Sequence, residues 1–152
     1  MAEPAIPLFG RPAAGVDYPL RACVFGLCQD EAGRLALARL PTPDGDVYDL
    51  PGGGIDPGET DLQALAREFL EEAGLPIAPI GLQARARQIW TPHDGPPRTS
   101  DCAFFHCVAS GPAIAPTEPD HQLCWIAPLD ALRLVRHDAH AWAIAALLRT
   151  AP

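Results

Sequence analysis

Three glutamates, Glu68, Glu71 and Glu72, stand at i, i+3 and i+4 in the segment GGIDPGETDLQALAREFLEEAGL, which runs from Gly53 to Leu75. On a helix that spacing gathers all three carboxylates on one face. Like charges so placed destabilise an isolated helix by about a few tenths of a kcal/mol per pair. A helix that needed only solubility would alternate glutamate with lysine. The concentration suits ligands for a hard divalent cation such as Mg²⁺, which takes oxygen donors and often sits against substrate phosphates. A solvated acidic face is the alternative that the glutamates alone leave open.

The surrounding residues are those of a well-delimited helix. Thr60 and Gln63 form the two halves of a capping box at its start. Leu62, Leu65, Ala66, Phe69 and Ala73 then recur at spacings of three and four, predicting an apolar stripe that faces a core. Gly74 stands where a left-handed C-cap residue is expected, and Pro76 prevents continuation. Ahead of the helix, Gly52, Gly53 and Gly54 read either as a plain tight turn or as bare backbone that can pass close to a bound ion, with positive φ where that is required.

Alternating and apolar runs supply the frame. Leu20 to Cys28 reads as a strand, and the turn from Gln29 to Gly33 predicts a hairpin with Leu35 to Leu40. Val47 to Leu50 is a short strand that delivers the chain to the glycines. Ile80 to Trp90, Asp101 to Ala109 and Leu123 to Ile126 are further strands, separated by loops at Thr91 to Thr99 and Ser110 to Pro119. The alanine-rich run from His137 to Arg149 predicts a C-terminal helix. Strands interrupted by one helix and closed by another indicate an α/β sandwich. Residues 1 to 19 read as an irregular lead-in, and residues 20 to 152 as one domain.

The register of the helical segment carries a resemblance. Gly53, Glu59, Arg67-Glu68, an apolar residue, Glu71-Glu72, Gly74 and Leu75 stand at the offsets of the Nudix box. The chain is therefore similar to the MutT-like Nudix hydrolases. Phe69 departs mildly from the pattern, where an aliphatic residue is more usual. Tyr48 to Gly53 resembles the family's strand and turn before the box, and Trp125 with Pro128 to Leu132 resembles its last strand and short helix. The resemblance implies an α/β/α sandwich with a mixed sheet between helices. It also implies Mg²⁺-dependent hydrolysis, with Mn²⁺ as a substitute, of the diphosphate linkage in a nucleoside diphosphate derivative. Modified nucleoside triphosphates, ADP-ribose and nucleotide sugars are the substrate candidates.

Carried over residue by residue, the resemblance makes the Gly52 carbonyl, Glu68 and Glu72 metal ligands, with Glu71 a further ligand directly or through water. Arg67 would orient the glutamates, Glu59 would be its partner, and Gly53 would support the turn. No glutamate immediately precedes Trp125, where Cys124 stands instead, so Glu118 and Asp120 are the nearby acids available as a base. Pro92, in the loop after Trp90, stands where similar proteins that hydrolyse ADP-ribose carry a proline. Similar proteins are often homodimers.

Composition narrows the partners. The 152 residues carry a formal net charge of −8 and are 48% hydrophobic. That balance argues against a nucleic-acid polymer or an anionic membrane as partner and leaves a small phosphorylated ligand open. The N-terminus lacks the features of a signal peptide, so the cytoplasm is expected. Five cysteines, none in a CxxC pair, read as buried reduced thiols. Trp90 is placed to stack on a base or to pack. His137 and His140, without a third ligand, read as solvent-facing helix residues rather than a zinc site. A nucleotide-sensing module of the same fold would lack box glutamates or be joined to a DNA-binding domain. A prenyl diphosphate isomerase would show a paired cysteine and glutamate, and no such pair is identified.

Overall fold

The computed structural model describes residues 2–150. The chain forms strands β1 (Leu8–Phe9), β2 (Leu20–Cys28), β3 (Leu35–Thr42), β4 (Gly45–Asp49) and β5 (Gly52–Gly54), then helix α1 (Asp61–Ala73). Strands β6 (Ile77–Trp90), β7 (Arg98–Ala109) and β8 (Gln122–Ile126) follow, with helices α2 (Pro128–Leu134) and α3 (Asp138–Thr150) at the end. One sheet has five strands in the order β1-β6-β7-β2-β5, and a second has three in the order β4-β3-β8. The larger sheet is mixed: β2 runs parallel to β7 and antiparallel to β5, and β6 and β7 are antiparallel.

Side chains of successive strand residues point to opposite faces, and here each face has its own core. Cys23, Leu27, Ala86, Cys102 and Phe104 pack with Ala139, Ala143, Ile144 and Leu147 of α3. Val24, Cys28 and Cys107 pack on the other face with Ala64, Leu65, Phe69 and Ala73 of α1. The mixed sheet therefore lies between helices, as the resemblance implied. Strand β3 joins the layers: Leu35 and Leu37 belong to the α3 side and Ala36 to the α1 side. No helix among the described residues is long and apolar enough to cross a membrane.

Several details differ from the sequence expectation. β2 and β3 do not form a hairpin, because they belong to different sheets and only an isolated Gln29–Leu35 bridge pairs the chain at their turn. Their turn instead sends the chain from one layer to the other, and β2 takes β7 and β5 as partners. The expected lead-in is mostly irregular but includes β1, which pairs with β6. The loop after Trp90 ends at Pro97, with Arg98 and Thr99 already in β7. Cys23, Cys28, Cys102 and Cys107 are buried, Cys124 is half-buried, and all five are unpaired thiols.

Helix α1 has the expected ends. The Thr60 hydroxyl accepts from the Gln63 N–H at 3.2 Å, and the Gln63 side chain accepts from the Thr60 N–H at 2.9 Å. Gly74 closes the helix in the left-handed region at φ 60°. The buried stripe is rotated from the expected one: Ala64, Leu65, Phe69 and Ala73 are buried, and Leu62 is exposed. Apolarity alone did not distinguish Ala64 from Leu62 and Ala66, and packing against the sheet selects Ala64.

Candidate functional site

Strand β5 is the edge of the mixed sheet, and α1 starts seven residues after it and lies across that edge. Gly52 has φ 152°, and a Cβ there would come within 2.1 Å of the Val24 carbonyl oxygen. The backbone of β5 can therefore lie this close to β2 only without a side chain. A Cβ on Gly53 would meet the Glu68 carboxylate at 2.7 Å. The glycines thus bring bare backbone against the acidic face of α1.

Arg67 organises that face. Its guanidinium donates to Glu59 at 2.8 and 2.9 Å, to Glu68 at 3.1 Å, to Glu71 at 3.1 Å and to the Gly54 carbonyl at 3.1 Å. Asp56 adds a longer ion pair at 3.4 Å. The planar fork suits several oxygens at once. The Arg67 fork holds the Glu59 carboxyl at about 2, below the usual carboxylate range.

The three box glutamates are not equivalent. Glu68 and Glu72 line a cleft of about 250 Å³ together with Gly52, Gly53 and Gly54. Glu71 is turned to Arg67 and does not line it. Glu72 accepts from the Gly52 N–H at 3.3 Å and has no cationic partner among the described residues. Burial, followed by the nearby Glu68 charge, pushes its acid well above the ordinary glutamate value. Burial also raises Glu68, against the pull of Arg67. No three His, Cys, Asp or Glu side chains among the described residues converge to enclose a metal ion. One guanidinium nitrogen of Arg67 orients the carboxylates of Glu68 and Glu71, each at 3.1 Å.

The donor chemistry nevertheless fits a hard divalent cation. Glu68 and Glu72 present oxygens at one edge of the cleft, and Arg67 leaves Glu72 without a positive neighbour in contact. A buried carboxylate without a counter-charge is costly and calls for a cation or a proton. Of the other acids considered, Glu118 and Asp120 are exposed, and the Glu118 N–H bonds to the Glu71 carbonyl at 2.8 Å. That bond fastens the loop before β8 to the C-terminal end of α1.

The rest of the cleft was not legible as a site. Asp49, Gln88, Trp90, Arg21, Arg98, Arg136, His137 and His140 line it, drawn from six separate parts of the chain. Arg136 forms a bidentate pair with Asp49 at 2.9 and 2.8 Å. The Gln88 side-chain oxygen accepts from the Ala139 N–H at 3.0 Å and so caps the start of α3. The only sequence signal was alternation, which places Arg21 with Cys23 and Phe25, and Arg98 with Ser100 and Cys102, on shared strand faces.

The two helix histidines correct the expectation of solvent-facing residues. His140 is 2% exposed, and its Nδ1 accepts from the Leu50 N–H at 3.1 Å. Burial pushes its pKa down from 6.5 to about 3, and that of the partly buried His137 down to about 4. His140 therefore stays neutral and holds the backbone just before the glycines. Because the unfolded chain binds the proton that folded His140 refuses, stability should fall as pH drops from 6.5 toward 3. For His140 alone the expected loss from pH 7 to pH 5 is about 2 kcal/mol. Urea unfolding at the two pH values should show it, and His140→Gln should flatten the difference.

Comparison with known proteins matches this arrangement to one family. The sequence model described as "NUDIX domain" matches residues 17–148. A putative 8-oxo-dGTP diphosphatase of Bacillus subtilis (strain 168) is 34% identical over 107 residues, covering 68% of this chain and 64% of that protein. An RNA pyrophosphohydrolase of Dinoroseobacter shibae is 32% identical over 79 residues, covering 52% of this chain and 49% of that protein. The chain thus spans between about half and two-thirds of the length of these relatives. Among solved structures, a NUDIX hydrolase from Nitrosomonas europaea superposes with a TM-score of 0.71 at 21% identity, covering 86% of this chain and 89% of that one. The MutT protein from Methanosarcina mazei Go1 gives 0.70 at 18% identity, covering 89% and 97%. At these identities the superpositions establish the fold.

Proposed function

The chain belongs to the NUDIX family, and on that footing we propose that it hydrolyses the diphosphate linkage of a small nucleoside diphosphate derivative with Mg²⁺. The observation that carries this reading is the pair Glu68 and Glu72 at the cleft edge, beside bare glycine backbone, with Glu72 lacking a cationic partner among the described residues. Glu68, Glu72 and the Gly52 carbonyl would hold the metal, with Mn²⁺ able to substitute, and Glu71 would contribute through water. When bound, the metal neutralises phosphate charge and acidifies a coordinated water.

The chain's own residues would do the rest. Arg67 keeps Glu68 and Glu71 in fixed orientation, so little reorganisation is needed when substrate arrives. Glu59 anchors Arg67 in turn. A carboxylate not committed to the metal takes the proton of the attacking water. Gly53 keeps the space that the Glu68 carboxylate occupies. The relatives' names, a putative 8-oxo-dGTP diphosphatase and an RNA pyrophosphohydrolase, support the bond assigned here.

A panel of deoxynucleoside triphosphates, ADP-ribose, nucleotide sugars, dinucleoside polyphosphates and coenzyme A tests the reading. At least one should be cleaved with Mg²⁺ or Mn²⁺, and EDTA should abolish cleavage. Tight binding without cleavage of any of them would replace hydrolysis with nucleotide sensing.

A further inference from the structure

The cleft has an acidic edge and a basic wall, separated by β5. Strand alternation sets Arg21, Cys23 and Phe25 of β2, Gln88 and Trp90 of β6, and Arg98, Ser100 and Cys102 of β7 along the cleft on the α3 side. Glu68 lies on the α1 side, where the Cβ direction of Gly53 points. The Cβ direction of Gly54 points the other way, to the Arg21 guanidinium. A ligand whose diphosphate is held at the glutamates therefore extends across the glycine strand toward arginines.

Trp90 fixes two of those arginines. The Arg98 guanidinium carbon lies 4.9 Å and that of Arg136 lies 5.1 Å from its ring centroid. The His137 ring meets it edge-on at 4.6 Å, and the Trp90 Nε1–H donates to the Ser100 hydroxyl at 2.9 Å. Trp90 is thus a platform already used by guanidinium groups. Arg136 is neutralised by Asp49. Arg21 and Arg98 have no carboxylate partner among the described residues, in a chain whose formal net charge is −8. Burial, with Arg21 as the next cause, disfavours the Arg98 cation. Neighbouring guanidinium groups left unpaired in a partly desolvated wall are best complemented by a full negative charge.

We propose that Arg21 and Arg98, the latter held on Trp90, form a subsite for a second ionised group, a phosphate monoester on the moiety beyond the scissile diphosphate. This rests on the hydrolase reading for the position of the diphosphate. It selects, within that reading, substrates that carry an extra phosphate over those with a neutral sugar. Trp90 is here a positioning residue.

Inorganic phosphate in EDTA buffer tests the subsite without any cleavage. Wild-type protein should bind it saturably, and Arg98→Gln or Arg21→Gln should weaken binding about tenfold. Glu68→Gln should not weaken it. Arg21 is exposed, so its variant should fold even if the Arg98 one does not. Trp90→Phe, which keeps a ring face, should retain more affinity than Trp90→Leu. With Mg²⁺, kcat/KM should favour coenzyme A over its 3′-dephospho form, and 2′-phosphorylated ADP-ribose over ADP-ribose. Arg98→Gln should erase that preference through KM. Absence of saturable phosphate binding, or equal binding by the arginine variants, overturns the subsite. So does an Arg98→Gln loss that is equal within each pair, since the arginine would then serve the diphosphate itself. If no substrate is cleaved but phosphate binds and depends on both arginines, the hydrolase reading fails and the subsite stands.

Discussion

Glu72→Gln should lower kcat/KM by on the order of a thousandfold while leaving the melting temperature unchanged or raised. The substitution keeps the shape and the acceptor for the Gly52 N–H, which lies 3.3 Å from the Glu72 carboxylate. It removes the carboxylate of the acidic face that has no counter-ion in contact among the described residues. Without the metal that charge is a burden on the fold, since burial and Glu68 together raise its acid. Removing it should relieve the folded state and would deprive the proposed metal site of a ligand, so stability and activity should move apart. Sign follows from the same shift: burial raises the Glu72 acid, so proton and metal compete for it and apparent Mg²⁺ affinity should improve as pH rises. Steady-state kinetics at saturating Mg²⁺, with a thermal melt of the same preparation, separate the two effects. A Glu72→Gln protein that melts normally and keeps full activity would remove Glu72 from the site.

What the sequence disclosed followed the range of the interactions involved. The ends of helix α1 were legible because their signals are local: a capping box at Thr60 and Gln63 and a left-handed glycine at Gly74. β2 was legible because an apolar run of that length has few other uses. Its partners were not, since the Gln29 to Gly33 turn looks the same whether the chain doubles back in one sheet or crosses to another. Pairing with β7 joins residues some eighty positions apart, and nothing local encodes it. The same limit hid the basic wall, because Arg21, Arg98 and Arg136 become neighbours only when β2, β7 and the α2–α3 connection are assembled. His140 reads as solvent-facing because a histidine in an alanine-rich helix is polar by type. Its burial follows from the Leu50 N–H that it satisfies across the fold.

Arg67→Gln should cost at least about a hundredfold in kcat/KM, and Arg67→Lys should recover little of it. Arg67 reaches Glu59, Glu68, Glu71 and the Gly54 carbonyl at once. A lysine ammonium carries the charge but cannot present a planar fork to four partners. Losing the fork frees Glu68 and Glu71 to repel each other and Glu72, so the ligand oxygens would disperse before a metal arrives. Mg²⁺ affinity should therefore fall along with kcat, whereas a residue that only held the helix would change stability and leave metal affinity per folded molecule intact. Glu59→Gln should show a milder form of the same defect, because Glu59 acts by fixing Arg67. The double variant then discriminates between roles. If Glu59 works only through Arg67, adding Glu59→Gln to Arg67→Gln should cost almost nothing further, and the two effects should be strongly non-additive. Additive losses would instead place Glu59 on the metal or the substrate in its own right, and the chain from Glu59 through Arg67 to the glutamates would have to be abandoned.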